Sequence, residues 1–235
     1  MITLAFDGTA KVASCAVLDG ERVLALYNVD NGLTQSELLL PMAESMLSAL
    51  KLSFSDVSMY ATSVGPGSFT GVRIGVSLIK GLAFGRDIPC VPVSTLEALA
   101  ENLAPLDGIL VPTMDARRGQ VYAAIFECSG GEIKRLTEDK AIAIDALAEE
   151  LKEYSGRKIY LSGDGYEVAR RGLTSAGIDV ERTPELLINE NAASVARVAL
   201  RKYKEGGSFT DSELSPTYLR LPQAERERLE REKTK

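Results

Sequence analysis

Gly65-Pro66-Gly67-Ser68-Phe69-Thr70-Gly71-Val72-Arg73-Ile74-Gly75 comes directly after an apolar strand at Met59 to Val64. Pro66-Gly67 reads as a tight turn, because proline presets φ and glycine tolerates the positive φ that such turns need. Ser68 or Thr70 caps the next helix. Glycines then recur at 71, 75, 81 and 85. An interior glycine costs a helix roughly 1 kcal/mol against alanine, so Gly75 and Gly81 together call for an offset of roughly 2 kcal/mol. Close approach of another helix or strand supplies one. Either the glycine face packs on its own sheet, or part of it meets a partner chain; composition alone favours the first. A glycine turn at a helix start also offers free N–H groups to an anion. The pattern here is neither GxxxxGK[ST] nor a GxGxxG after a first strand, so that signal is weak.

Outward from this segment, the chain alternates strands and helices. Residues 2–6 form an apolar strand ending at Asp7. Val12 to Leu18 and Arg22 to Tyr27 form a hairpin through Asp19-Gly20. The layout recurs later. Ile109 to Met114 ends at Asp115, Gln120 to Glu127 comes next, and Ser129-Gly130-Gly131 turns the chain into Glu132 to Leu136. Asp7 and Asp115 hold matching places, which suggests one unit used twice. Thr34-Gln35-Ser36-Glu37 and Ser94-Thr95-Leu96-Glu97 are capping boxes. Leu39, Met42, Met46, Leu47 and Leu50 succeed the first at helical spacing, with Pro41 kinking that helix or sitting early in it. Asp145 to Tyr154, Tyr166 to Ala176 and Ala193 to Glu205 read as further helices, the last stopped by Gly206-Gly207. The charged stretch Gln223 to Lys235 reads as a solvated end.

Composition excludes several chemistries. The 235 residues contain no histidine. A Ser–His–Asp triad, a Cys–His dyad and a histidine-ligated metal are therefore impossible. Carboxylate, Lys, Tyr or Cys catalysis stays open. The net charge of −6 makes the chain a poor independent ligand for a phosphate backbone. Cys15, Cys90 and Cys128 form no CxxC and read as reduced, partly buried thiols in a cytoplasmic protein. No apolar run approaches the roughly 18 residues of a membrane span. The first residues lack the basic start of a signal peptide.

GPGSFTGVRIG resembles the signature of the bacterial TsaB family, also called YeaZ. The opening ITLAFDGTAKVASCAVLDG, Leu33-Thr34-Gln35-Ser36 through Leu40-Pro41-Met42, Val93-Ser94-Thr95-Leu96, Asp115 to Tyr122 and Pro216-Thr217-Tyr218-Leu219-Arg220 are also similar. The resemblance covers roughly residues 2 to 221. Gly8 stands where the family often has threonine, and Leu33 where it commonly has histidine.

The resemblance implies an α/β, two-lobed, actin-like fold (ASKHA, a duplicated RNase H-like unit). A first, partner-binding lobe spans 1–105, with a segment at about 208–221 returning to it. A second lobe spans 106–207 and a charged tail 222–235. It further implies a non-catalytic scaffold in the complex that forms the threonylcarbamoyl group on N6 of adenosine 37 in tRNAs reading ANN codons. In that system TsaD performs the transfer and holds the metal, TsaE is an ATPase partner and TsaC makes the donor. No cofactor is expected on this chain, ATP and metal belonging to its partners, and tRNA is met only indirectly. Expected contacts to TsaD, or to a second copy in a homodimer, are Leu39, Met42, Met46, Leu50, Gly71, Arg73, Ile74, Gly75, Leu78 and Gly81.

Two other functions compete. One is an actin-like ATP-dependent phosphotransferase using Asp7 and Asp115 around Mg²⁺, with Gly163 and Gly165 of the Gly163-Asp164-Gly165 turn near the nucleotide. Against it, the two aspartates read more readily as fold remnants that cap turns, and the glycines as a plain strand-to-helix turn. The other is a glycopeptidase, which the missing histidines disfavour. Arg117-Arg118 reads as an exposed loop or as a site for an acidic partner segment.

Overall fold

The computed structural model describes residues 1–206 and 209–220. The first sheet takes β1 (Ile2–Asp7), β2 (Ala13–Asp19), β3 (Arg22–Val29), β4 (Met59–Ser63) and β5 (Cys90–Val93) in the order β3-β2-β1-β4-β5. β2 and β3 run antiparallel; β4 and β5 run parallel to β1.

The second sheet repeats this plan with interruptions. β6 (Gly108–Asp115) pairs β7 (Gln120–Ala123) and β8 (Phe126–Ser129) along one edge. Both keep the same antiparallel register on β6, so they are one strand broken at Ala124-Ile125. β9 (Glu132–Arg135) and β10 (Lys140–Ala143) line its far side, and β11 (Ile159–Ser162) runs parallel to β6 on the other edge. Hairpin, first strand and parallel neighbour thus keep one order in both sheets. The fold is the two-lobed actin-like architecture.

Among the described residues six α-helices clothe the sheets: α1 (Gln35–Ala49), α2 (Phe69–Ala83), α3 (Thr95–Asn102), α4 (Ile144–Leu151), α5 (Tyr166–Ser175) and α6 (Ala192–Lys204). α1 begins at its expected capping box, where the Glu37 carboxylate accepts the Thr34 N–H at 2.9 Å and its hydroxyl at 2.6 Å. It runs on through Pro41, which lies exposed in its second turn. α3 begins with Ser94 Oγ accepting the Glu97 N–H at 3.3 Å. α6 ends before Gly206, which adopts φ +92°. Gly207 and the stretch from Gln223 to Lys235 lie outside the described residues.

Four apolar clusters show how the layers stack. α1 and α2 cover one face of the first sheet through Leu39, Met42, Met46, Val72, Val76 and Ile79. α6 covers its other face, bringing Val195, Val198 and Ala199 against Ala5, Ala61 and Val91. α6 therefore packs on the first sheet, although it falls within 106–207, the span expected to form the second lobe. Its alanines let it approach the small residues of that sheet. α3 lies beside it and sets Leu99 and Leu103 against Leu110, Phe126 and Tyr160 of the second sheet. α4 and α5 close the outer face of that sheet. All three cysteines are buried and unbridged, and burial pushes Cys90 up to about 11. No helix of the described residues is long and apolar enough to cross a membrane.

Candidate functional site

α2 is the element around which the site is built. Ser68 caps it by accepting the Gly71 N–H at 3.2 Å. The helix then presents two unlike faces. Gly71, Val72, Gly75, Val76 and Ile79 turn inward. A Cβ at Gly71 would overlap the Gly8 carbonyl, and one at Gly75 would stand 2.8 Å from Thr62 Oγ1. Thr70, Arg73, Ile74, Ser77, Leu78 and Gly81 form the outer stripe. At Gly81 a Cβ would meet nothing within 4 Å.

Where α1 meets this outer stripe, a groove of about 560 Å³ opens, lined by Leu40, Phe69, Ile74 and Leu78 with Ser36, Thr70, Arg73 and Ser77 at its edges. Of the residues expected on a partner surface, Arg73 and Gly81 are exposed, while Ile74, Leu78 and Leu50 are half-buried. Met42 (6% exposed) and Met46 (0%), with Gly71 and Gly75, lie in the core of their own lobe, and Leu39 (1%) joins that core while also lining the groove. The helical spacing that marks them as apolar describes the stripe facing the sheet. A charge at Met46 or a long side chain at Gly75 would break the lobe itself.

A second opening, a cleft of about 390 Å³, lies between the lobes and is lined by Thr9, Lys11, Ser68, Asp115, Arg117, Asp164, Tyr218 and Arg220, among others. The matched aspartates sit differently toward it. Asp7 is 1% exposed and fully engaged. Its Oδ1 accepts the Thr9 N–H (2.9 Å) and hydroxyl (2.6 Å), and its Oδ2 accepts the Ser63 hydroxyl at 2.5 Å. Burial pushes its pKa up, against the lowering effect of these hydrogen bonds. Asp115 lines the cleft, accepts the Arg117 N–H at 2.7 Å and pairs with the Arg117 guanidinium at 3.4 Å. Each aspartate thus caps the residue two positions on. Arg117 and Arg118 adopt φ of +65° and +56°.

The Gly163-Asp164-Gly165 turn has an internal reason for its glycines. A Cβ at Gly163 would overlap the Thr113 carbonyl, and one at Gly165 would stand 3.0 Å from Thr113 and Met114 backbone atoms. Asp164 accepts the Asp115 N–H at 2.8 Å, and burial raises its pKa. Glu190 is 1% exposed, and neither carboxyl oxygen has a partner among the described residues. Burial first, then the charges of Asp7 and Asp164, push its pKa well above the usual carboxylate range. Among the described residues no cluster of three or more Cys, Asp or Glu side chains is arranged to hold a metal ion. Leu33 is 51% exposed ahead of α1.

Phe69, Tyr218 and Arg220, to which the sequence assigns no role of their own, tie the 217–220 stretch to both lobes. Phe69 stacks on Tyr218 with ring centroids 4.7 Å apart, the Arg73 guanidinium lies 3.8 Å from the Phe69 centroid, and Arg220 donates to the Ala116 carbonyl at 3.0 Å. Tyr218 and Arg220 lie within a stretch similar to the TsaB family, which is the only sequence signal for them.

The family model described as TsaD, tRNA N6-adenosine threonylcarbamoyltransferase, matches residues 34–228. The tRNA threonylcarbamoyladenosine biosynthesis protein TsaB of Bacillus subtilis is 32% identical over 99% of this chain and 100% of its own length. The protein of the same name in Escherichia coli is 29% identical over 94% and 95%. The solved structure of YeaZ from Pseudomonas aeruginosa superposes with a TM-score of 0.76 over 93% of this chain and 99% of its own, at 24% identity, a likeness of fold.

Proposed function

The chain belongs to the family described by the TsaD model and, within it, to the TsaB (YeaZ) group, and from that premise we propose that it is the non-catalytic docking subunit of the complex that makes threonylcarbamoyladenosine in tRNA. Involvement in this biosynthesis comes with the family. The finer reading is that the outer face of α2, with α1, binds and activates the catalytic TsaD subunit for transfer to adenosine 37 of tRNAs reading ANN codons. Gly81 is the observation that carries it. It lies exposed in a helix, where it costs roughly 1 kcal/mol against alanine. Among the described residues nothing lies within 4 Å of its missing Cβ. A partner backbone laid against α2 would offset that cost, and the neighbouring apolar groove supplies the contact area.

Two further observations support a non-catalytic role. The chain has no histidine. The Asp7 carboxylate is spent on Thr9 and Ser63 within its own lobe, away from the cleft. The phosphotransferase alternative needs that carboxylate free to face Mg²⁺-ATP. Calorimetric titration with Mg²⁺-ATP separates the two: tight binding lost in Asp7→Asn would favour the enzyme. The proposal also takes in TsaE as a further partner, a homodimer through the same face, a cytoplasmic location, and lobes divided near residue 105, with α6 and the segment after it returning to the first.

Co-purification with cognate TsaD tests the docking reading. Gly81→Arg places a long side chain in open space on α2, so the fold is kept and TsaD binding is lost. Retained binding sinks the reading.

A further inference from the structure

The stretch 214–220 runs from the first-lobe core at Leu214 to the interlobe cleft, which Thr217 to Arg220 line, and is fixed on both sides. On the first lobe the Thr217 N–H donates to the Val64 carbonyl at 2.7 Å. The Thr217 carbonyl passes so close to Gly65 that a Cβ there would stand 2.5 Å from it. Gly65 has φ +115°, so glycine is required both for the conformation and for this close pass. On the second lobe Arg220 bonds the Ala116 carbonyl, with its guanidinium 5.8 Å from the Tyr122 ring centroid. Between these points Tyr218 stacks on Phe69, and its hydroxyl accepts from Arg73 Nε at 2.7 Å.

The placement of the three side chains matters. Phe69 lines both the groove and the cleft. Arg73 lines the groove and Tyr218 lines the cleft. Phe69 thus stands between the two openings, in contact with Arg73 on the groove side and Tyr218 on the cleft side. Arg73 is exposed, and neither Nη atom has a hydrogen-bond partner among the described residues.

We propose that Phe69, Arg73 and Tyr218 form a latch through which a partner docked in the α1–α2 groove tightens the 214–220 strap over the cleft. This rests on the docking reading above, with the threonylcarbamoyltransferase as occupant. A protein surface laid over the groove removes water from Arg73 and from one face of Phe69. Cation–π contacts and hydrogen bonds from a charged donor strengthen when desolvated. The Arg73 Nη atoms remain available to a partner carboxylate in fork geometry, so the partner need not displace Tyr218 from Nε. Linkage makes the effect reciprocal: a latched strap raises partner affinity by the factor by which docking tightens the strap. Tyr218 is thus a positioning residue for a surface it does not line.

Hydrogen exchange at the Thr217 amide, in the full chain alone and with cognate TsaD, reads the strap directly. Titration with TsaD reads the affinity of Tyr218→Ala, Tyr218→Phe and Gly81→Arg. The latch predicts Thr217 exchange slowed by about tenfold in the complex, the size expected when a cation–π pair is desolvated. Tyr218→Ala speeds that exchange in the free chain and weakens TsaD binding by about five- to tenfold, while Tyr218→Phe, which keeps the ring and loses the hydroxyl, falls between. Unchanged or faster Thr217 exchange in the complex overturns the latch, as does wild-type affinity in Tyr218→Ala, provided Gly81→Arg abolishes binding. Wild-type affinity in Gly81→Arg overturns the docking reading and the latch with it.

Discussion

On the inner face of α2, Gly71 lies under the Gly8 carbonyl and Gly75 against the Thr62 hydroxyl; on the outer face, Gly81 has no atom of the described residues within 4 Å of its missing Cβ. The same residue type appears in one helix for two different reasons. The inner glycines let a helix sink onto its own sheet and the loop after β1. The outer one has no internal reason. A helix that repeats glycine therefore does not declare a partner surface by the repeat alone. The informative glycine is the one its own fold leaves unused.

The largest effect should fall on the inner face. Gly71→Ala forces a Cβ into a backbone carbonyl that cannot rotate away, and overpacking of this kind costs about 3 kcal/mol. Thermal melting should show a drop in Tm, with TsaD binding lost only in proportion to unfolding.

A pH series sharpens the contrast between interior and surface. Glu190 is buried, neither carboxyl oxygen has a hydrogen-bond partner among the described residues, and burial raises its pKa in the fold. A raised carboxylate pKa means the folded state holds more protons than the unfolded state, so stability falls as pH rises above the unfolded value of about 4.3. The slope reaches about 1.4 kcal/mol per pH unit while the group stays protonated in the fold. Glu190→Gln should flatten that decline, seen as a Tm advantage over wild type at pH 8 that is absent at pH 4. An equal pH slope in both would remove Glu190 from the account.

Gly81→Ala should have opposite effects on two readouts. The isolated chain gains up to about 1 kcal/mol, because alanine favours helix and meets no neighbour. Binding to TsaD weakens, because the close approach is lost. A stability gain with unchanged binding would leave Gly81 without a role.

The smallest shift belongs to Gly75→Ala. Its Cβ presses on a side-chain hydroxyl, and the gain of about 1 kcal/mol in helix propensity offsets much of the strain. The net change should stay under about 1 kcal/mol. A loss as large as that of Gly71→Ala would mean that Thr62 cannot give way.

Much of this is legible from local pattern. The caps at Thr34, Ser68 and Ser94, the hairpin at Asp19-Gly20 and the matched strand ends at Asp7 and Asp115 depend on residues a few positions apart. The short strands β5 and β10 escape such reading, because four residues carry little periodicity. The break at Ala124-Ile125 is hidden, because both halves keep one register. Leu39, Met42 and Met46 are legible as an apolar stripe, yet the spacing does not say what the stripe packs on. Their own sheet takes that place. The bond from Arg73 to Tyr218 spans 145 residues, beyond the reach of any local rule.

The central claim is that the outer face of α2 is where TsaD docks. Gly81→Arg tests it most directly, with Tm and TsaD affinity measured on the same preparation. The account predicts an unchanged Tm and loss of binding. An unchanged Tm with wild-type affinity would contradict it.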